Sequence, residues 1–74
     1  MTFPLVSQTV AYDGKPYSVM GYPTINDGLH IELNLLPGTL DDPNAGWHEG
    51  WEPHPSRFVL LDDLLTTGFS IIAA

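Results

Sequence analysis

Asn26-Asp27-Gly28-Leu29-His30-Ile31-Glu32-Leu33-Asn34-Leu35 opens on three turn-forming residues and then alternates strictly. Leu29, Ile31, Leu33 and Leu35 point one way and His30, Glu32 and Asn34 the other, the pattern of a strand with one face on a core. Asn and Asp bond locally to backbone and Gly tolerates positive φ, so Asn26-Asp27-Gly28 predicts a hairpin turn. Pro37-Gly38 ends the strand.

Working outward towards the N-terminus, residues 17–25 predict the strand that pairs across this hairpin, with Pro23 at an edge or a strand end. Asp13-Gly14-Lys15-Pro16 supplies a second turn. Leu5 to Tyr12 is rich in β-branched residues and predicts a first strand, with Val6, Val10 and Tyr12 on one face. Downstream, residues 37–56 carry Pro37, Pro43, Pro53 and Pro55 and three glycines. A loop this long inside a small domain is unusual and often functional. The C-terminal part has two readings. In the preferred one, Arg57–Leu61 is a strand, Asp62 caps a short helix through Thr67, Gly68 stops it, and Phe69–Ala73 is a last strand. In the rival, one helix capped by Ser56 runs to Thr67, with Phe58, Leu61, Leu64 and Leu65 on one face. The expected fold is therefore mainly β, a small α+β variant being the alternative. It is an antiparallel β-meander of four to five strands with one short C-terminal helix, spanning residues 1–74 as a single domain.

Composition narrows the function classes. The chain has 74 residues, 43% of them apolar, which is unlike disordered composition. It has no cysteine, so neither a disulfide nor a thiolate metal site is available. A core this small is marginal, and assembly into a homo-oligomer or onto a partner is one way to enlarge it. Small secreted domains usually lean on disulfides, and residues 1–6 lack a signal-peptide pattern, so a cytoplasmic setting is expected, that of a host cell if the chain is phage-encoded. No apolar run approaches the roughly 20 residues of a membrane span. Nine carboxylates face only Lys15 and Arg57, for a net charge of −7. Direct nucleic-acid binding needs clustered cations, and so does an anionic membrane surface; neither is expected. A protein partner with a basic surface is.

Gly46-Trp47-His48-Glu49-Gly50-Trp51-Glu52-Pro53-His54-Pro55 is the most informative segment for function. It holds both tryptophans in an approximate tandem of Gly-Trp units. Tryptophan anchors many interfaces, and the rival reading is that both rings fold back to plug the core. The expected partner-binding residues are Trp47 and Trp51 with Glu49, Glu52, Asp41 and Asp42. His48, Glu49, Glu52 and His54 are chemically suitable zinc ligands, but their spacing matches no ligand motif, and no metal or cofactor is expected. A small metal-dependent or hydrolytic enzyme using His48, Glu49 and His54 is the least favoured alternative. Asp41-Asp42 and Asp62-Asp63 are adjacent pairs that do not converge, and turn formation and helix capping account for them. Ser7, Ser18, Ser56 and Ser70 lack a nucleophile-elbow context, and no phosphate-binding glycine loop is present. Tyr12, Tyr17 and Tyr22 would need a basic groove to stack on bases, and strand propensity explains them.

No motif assigns the chain to a family. The expected function is non-enzymatic, acidic protein binding. Its sharpest form is an inhibitor whose carboxylates compete for a basic, nucleic-acid-binding surface. In size and charge the chain is similar to phage and mobile-element proteins of that kind, some anti-CRISPR proteins and DNA mimics among them. The alternative is a structural or assembly protein anchored by the tryptophan loop.

Overall fold

The computed structural model describes residues 3–52 and 55–73. Six strands and one helix follow in order: β1 Thr9–Tyr12, β2 Lys15–Gly21, β3 Thr24–Ile25, β4 Gly28–Leu35, β5 Arg57–Leu60, α1 Leu61–Thr67 and β6 Ser70–Ala73. All pairings are antiparallel and belong to one sheet. β4 lies at its centre, with β2 and then β3 along one side and β5 on the other. β1 pairs with β2, and β6 with β1. The protein is thus mostly β with one short helix, and the meander holds from β1 through β5.

Both tight turns are two-residue loops with positive φ at each central position, as a type I′ turn requires. Asp13 (φ 55°) and Gly14 (φ 75°) join β1 to β2; Asn26 (φ 50°) and Asp27 (φ 63°) join β3 to β4. Asn and Asp tolerate this region better than other side chains. Gly28 is therefore not the positive-φ residue of its turn but the first residue of β4.

The register puts Val10 opposite Tyr17, Val19 opposite Leu33 and Ile31 opposite Val59 on one face. Val10, Tyr12, Tyr17, Val19, Ile31 and Leu33 are buried there, and α1 adds Leu61 and Leu64 to the same cluster. Leu35 is only partly buried but packs against it. Leu29 is a correction: although it has the right parity, it is 49% exposed. It pairs with Thr24 of the two-residue β3, and β5 begins to cover β4 only at His30.

Three strand ends also differ from expectation. Ser7 takes a positive φ of 76°, and the Gln8 amide closes a turn on the Leu5 carbonyl, so β1 starts at Thr9 and Val6 is exposed. The segment expected over residues 17–25 is split at Tyr22-Pro23, where proline has no amide to offer a ladder. The C-terminal part follows the strand–helix–strand reading, but Asp62 does not cap α1. Leu60 is the N-cap, and Asp62 and Asp63 occupy the first turn, where carboxylates favour the positive end of the helix dipole. Gly68 ends the helix at φ 101°, its amide reaching the Leu64 carbonyl.

Two bulges shape the sheet. Between Val19 and Gly21 the register shifts against β4, leaving Met20 as the extra residue; a shift against β1 does the same for Ile72 of β6. A bulge adds an unpaired residue and sharpens the bend, which accounts for two of the exposed apolar side chains.

Candidate functional site

Residues 36–56 contain no helix or strand among the described residues, yet their backbone is organised by short-range hydrogen bonds. The loop opens with a closed turn: the Gly38 amide donates to the Pro43 carbonyl (2.9 Å) and the Thr39 amide to the Asp42 carbonyl (3.0 Å). Gly38 is obligatory there, since a Cβ would lie 1.9 Å from the Asp42 carbonyl oxygen. Next come two turns of the same design. The Trp47 amide donates to the Asn44 carbonyl (3.0 Å), and the Trp51 amide to the His48 carbonyl (2.9 Å). The third residue of each is a glycine at positive φ, Gly46 at 89° and Gly50 at 86°. Positive φ at that single position is the type II pattern. Asn44-Ala45-Gly46-Trp47 and His48-Glu49-Gly50-Trp51 are therefore consecutive turns that each end on a tryptophan.

This repeat gives the two rings different surroundings. Trp47 is 60% exposed, the most exposed large apolar side chain among the described residues. Trp51 is partly buried. Asp41, Asp42, Glu49 and Glu52 are all exposed. No Lys or Arg lies between residues 37 and 56, so the loop holds four of the chain's nine carboxylates and no permanent cation. His48 Nδ1 is 2.9 Å from the Glu49 carbonyl oxygen; a carbonyl only accepts, so this nitrogen carries the proton. No group of three His, Asp or Glu side chains among the described residues is placed to hold a metal ion. His54, one of the considered zinc ligands, lies outside the described residues. No cavity occurs among the described residues.

Two polar clusters at the C-terminal end of the loop are not signalled by any local sequence pattern. In the first, Arg57 at the start of β5 reaches across the inner face. Its guanidinium lies 5.0 Å from the Tyr12 ring centroid and 5.8 Å from that of Tyr17. It donates to the Tyr17 hydroxyl (3.0 Å) and to Asp13 (3.3 Å). The arginine pKa is raised, chiefly by the hydrogen bond to Tyr17 and then by Asp13, against an opposing desolvation effect. In strand order β5 and β1 are three steps apart, roughly 14 Å in a flat sheet. The long Arg57 side chain thus ties the end of the loop to the β1–β2 hairpin.

In the second cluster, the Ser56 hydroxyl lies 2.6 Å from Glu32 Oε2 and 2.7 Å from the Asn34 side-chain amide. A hydroxyl has one proton, and the charged acceptor takes it. Asn34 Oδ1 is the second, neutral acceptor within reach of the same hydroxyl. Glu32 and Asn34 stand on the outer face of β4, so this bond ties the last residue of the loop to the sheet. The two clusters pin residues 56 and 57, leaving the tryptophan turns as the part of the loop that projects. No helix of the described residues is long and apolar enough to cross a membrane. Comparison with protein-family models, curated proteins and solved structures finds no significant match for this chain.

Proposed function

We propose that this protein is a non-enzymatic binding module whose acidic tryptophan loop docks on another protein. The observation that carries the reading is Trp47, 60% exposed at the end of a hydrogen-bonded turn, in a loop with four carboxylates and no Lys or Arg. An ordered loop loses less conformational entropy on binding than a floppy one, and an exposed indole supplies the contact area of an interface hot spot. The partner this suits has an apolar pocket rimmed by Lys or Arg. The chain holds one guanidinium in just this chemistry, with Arg57 over two aromatic rings and against Asp13.

In its sharper form the proposal is that of an inhibitor: the acidic loop occupies a basic surface that would otherwise bind nucleic acid. The net charge of −7 supports this version. Affinity capture from the cells that carry the gene, with mass-spectrometric identification, supplies the partner. Trp47→Ala should then weaken binding by about 2 kcal/mol or more while leaving the thermal midpoint unchanged, because Trp47 is not part of the core. Unchanged affinity for the Trp47→Ala chain removes the loop from the interface. The inhibitor version further requires that oligonucleotide and this chain compete for the captured partner. Simultaneous binding of both leaves an assembly module.

A further inference from the structure

Two Asp-Gly pairs occur in the chain, Asp13-Gly14 and Asp27-Gly28, and both lie at hairpins. This dipeptide is chemically reactive by itself. The amide nitrogen after the aspartate can attack the aspartyl Cγ, because glycine has no Cβ to hinder the approach. A C–N bond forms, the Cγ–OH bond breaks and water leaves, giving a succinimide ring. Water then opens the ring at either carbonyl. One opening returns aspartate; the other leaves isoaspartate, in which the main chain runs through Cγ. Water is the only co-reactant.

The attack requires the Asp–Gly peptide to rotate, so the contacts that hold this peptide set the rate. The two hairpins place it differently. Asp13 and Gly14 are the two central residues of their turn, whereas Gly28 is the first residue of β4. Gly28 pairs with Ile25 across a two-residue loop, the position whose amide closes the turn on the carbonyl opposite. It is also crowded, since a Cβ there would lie 3.1 Å from Leu60 Cδ2 and 3.4 Å from His30 Cε1. At Gly14 nothing lies within 4 Å of the same position, and its amide finds no backbone acceptor among the described residues. Asp13 and Gly14 are both exposed.

We propose that Asp13-Gly14 is a self-modification site, at which the folded protein forms isoaspartate while Asp27-Gly28 is protected, and that the change releases Arg57 from Asp13. Isomerisation adds a carbon to the main chain of a two-residue loop, which a type I′ turn does not accommodate unchanged. It also leaves the free carboxylate attached directly to Cα, one carbon short of the position from which Asp13 Oδ2 meets the Arg57 guanidinium at 3.3 Å. Arg57 then keeps its bond to the Tyr17 hydroxyl (3.0 Å) and loses its tie to the tip of the β1–β2 hairpin.

The test ages the full chain for weeks at physiological temperature and neutral pH, in buffer and in parallel in urea. Aspartyl and isoaspartyl peptides have equal mass but separate chromatographically, and electron-transfer fragmentation distinguishes them, so chymotryptic peptides report each site. In urea, where no fold holds either peptide, the two sites should react at similar rates. In buffer Asp13 should react roughly tenfold faster than Asp27, as expected when a hydrogen bond holds one amide and not the other. In the aged, isotope-labelled chain the Arg57 side-chain resonances should shift in proportion to isoaspartate at position 13, while the Gly28 amide stays where it was. Equal rates at the two sites in buffer overturn the proposal. So does a folded chain that reacts at neither site, or faster at Asp27. Arg57 resonances that stay fixed while isoaspartate accumulates overturn the release of Arg57.

Discussion

Leu29 and Leu33 have the same parity on one strand and opposite fates. Leu33 has no exposed surface, with Val19 of β2 on one side and Arg57 of β5 on the other, whereas Leu29 is 49% exposed beside the two-residue β3. Leu33→Ala should therefore cost about 2–5 kcal/mol, from lost burial plus the cavity left behind. Leu29→Ala should cost under about 1 kcal/mol. Denaturant midpoints of the two variants, measured at constant m-value, check this, and similar midpoints would mean that the inner face of β4 is not the core. Alternation thus identifies a face, but how far neighbouring elements cover that face is a tertiary fact. Val6 makes the same point, since it lies beyond the positive-φ Ser7 and is cut off from the strand its pattern suggests. Arg57 is the extreme case: its partners Tyr17 and Asp13 are 40 and 44 residues away, and no local periodicity encodes a contact at that range.

Among elements, the hairpins were the easiest to read, because Asp13-Gly14 and Asn26-Asp27 carry residues that tolerate the backbone their turns need. Residues 57–67 carry two patterns, since a short apolar run fits a strand as well as a helix, with strand–helix–strand the preferred reading. The sheet shows why that reading holds. β5 sets Val59 beside Ile31 and Arg57 beside Leu33, covering the flank of β4 that no other strand pairs with, and the chain then turns into α1 to bury Leu61 and Leu64. In the loop, the Gly-Trp tandem visible in the sequence proves to be two turns of one design, each needing its glycine at positive φ. Gly46→Ala and Gly50→Ala each put a Cβ where left-handed backbone costs roughly 1–2 kcal/mol. Because neither glycine touches the core, the cost should appear locally: faster amide exchange at Trp47 or Trp51 respectively, with little change in the global midpoint. A D-alanine at either position, introduced by chemical synthesis, should restore the protection. If L-alanine leaves exchange unaltered, the turns are not what orders the loop.

At the scale of the whole molecule, the charge of −7 acts on folding and on association in opposite directions. The one ion pair among the described residues, Arg57–Asp13 at 3.3 Å, has both side chains well exposed and contributes at most about 1 kcal/mol. Every other carboxylate adds to self-repulsion, which works against the compact state. Added salt should therefore leave the melting temperature unchanged or raise it slightly, because screening relieves more repulsion than attraction. Binding to a basic partner should respond the other way. Steering extends over about a Debye length, which is roughly 10 Å at 0.1 M salt and shrinks as salt is added. The association rate should fall steeply between about 0.05 and 0.5 M salt, while the dissociation rate, governed by short-range contacts such as those of Trp47, changes much less. Stopped-flow mixing and thermal melts over the same salt series separate the two effects. A flat association rate would remove the basic partner surface and leave a mainly apolar interface. A melting temperature that falls with salt would show instead that ion pairs hold the fold together and that the carboxylates are engaged within the molecule.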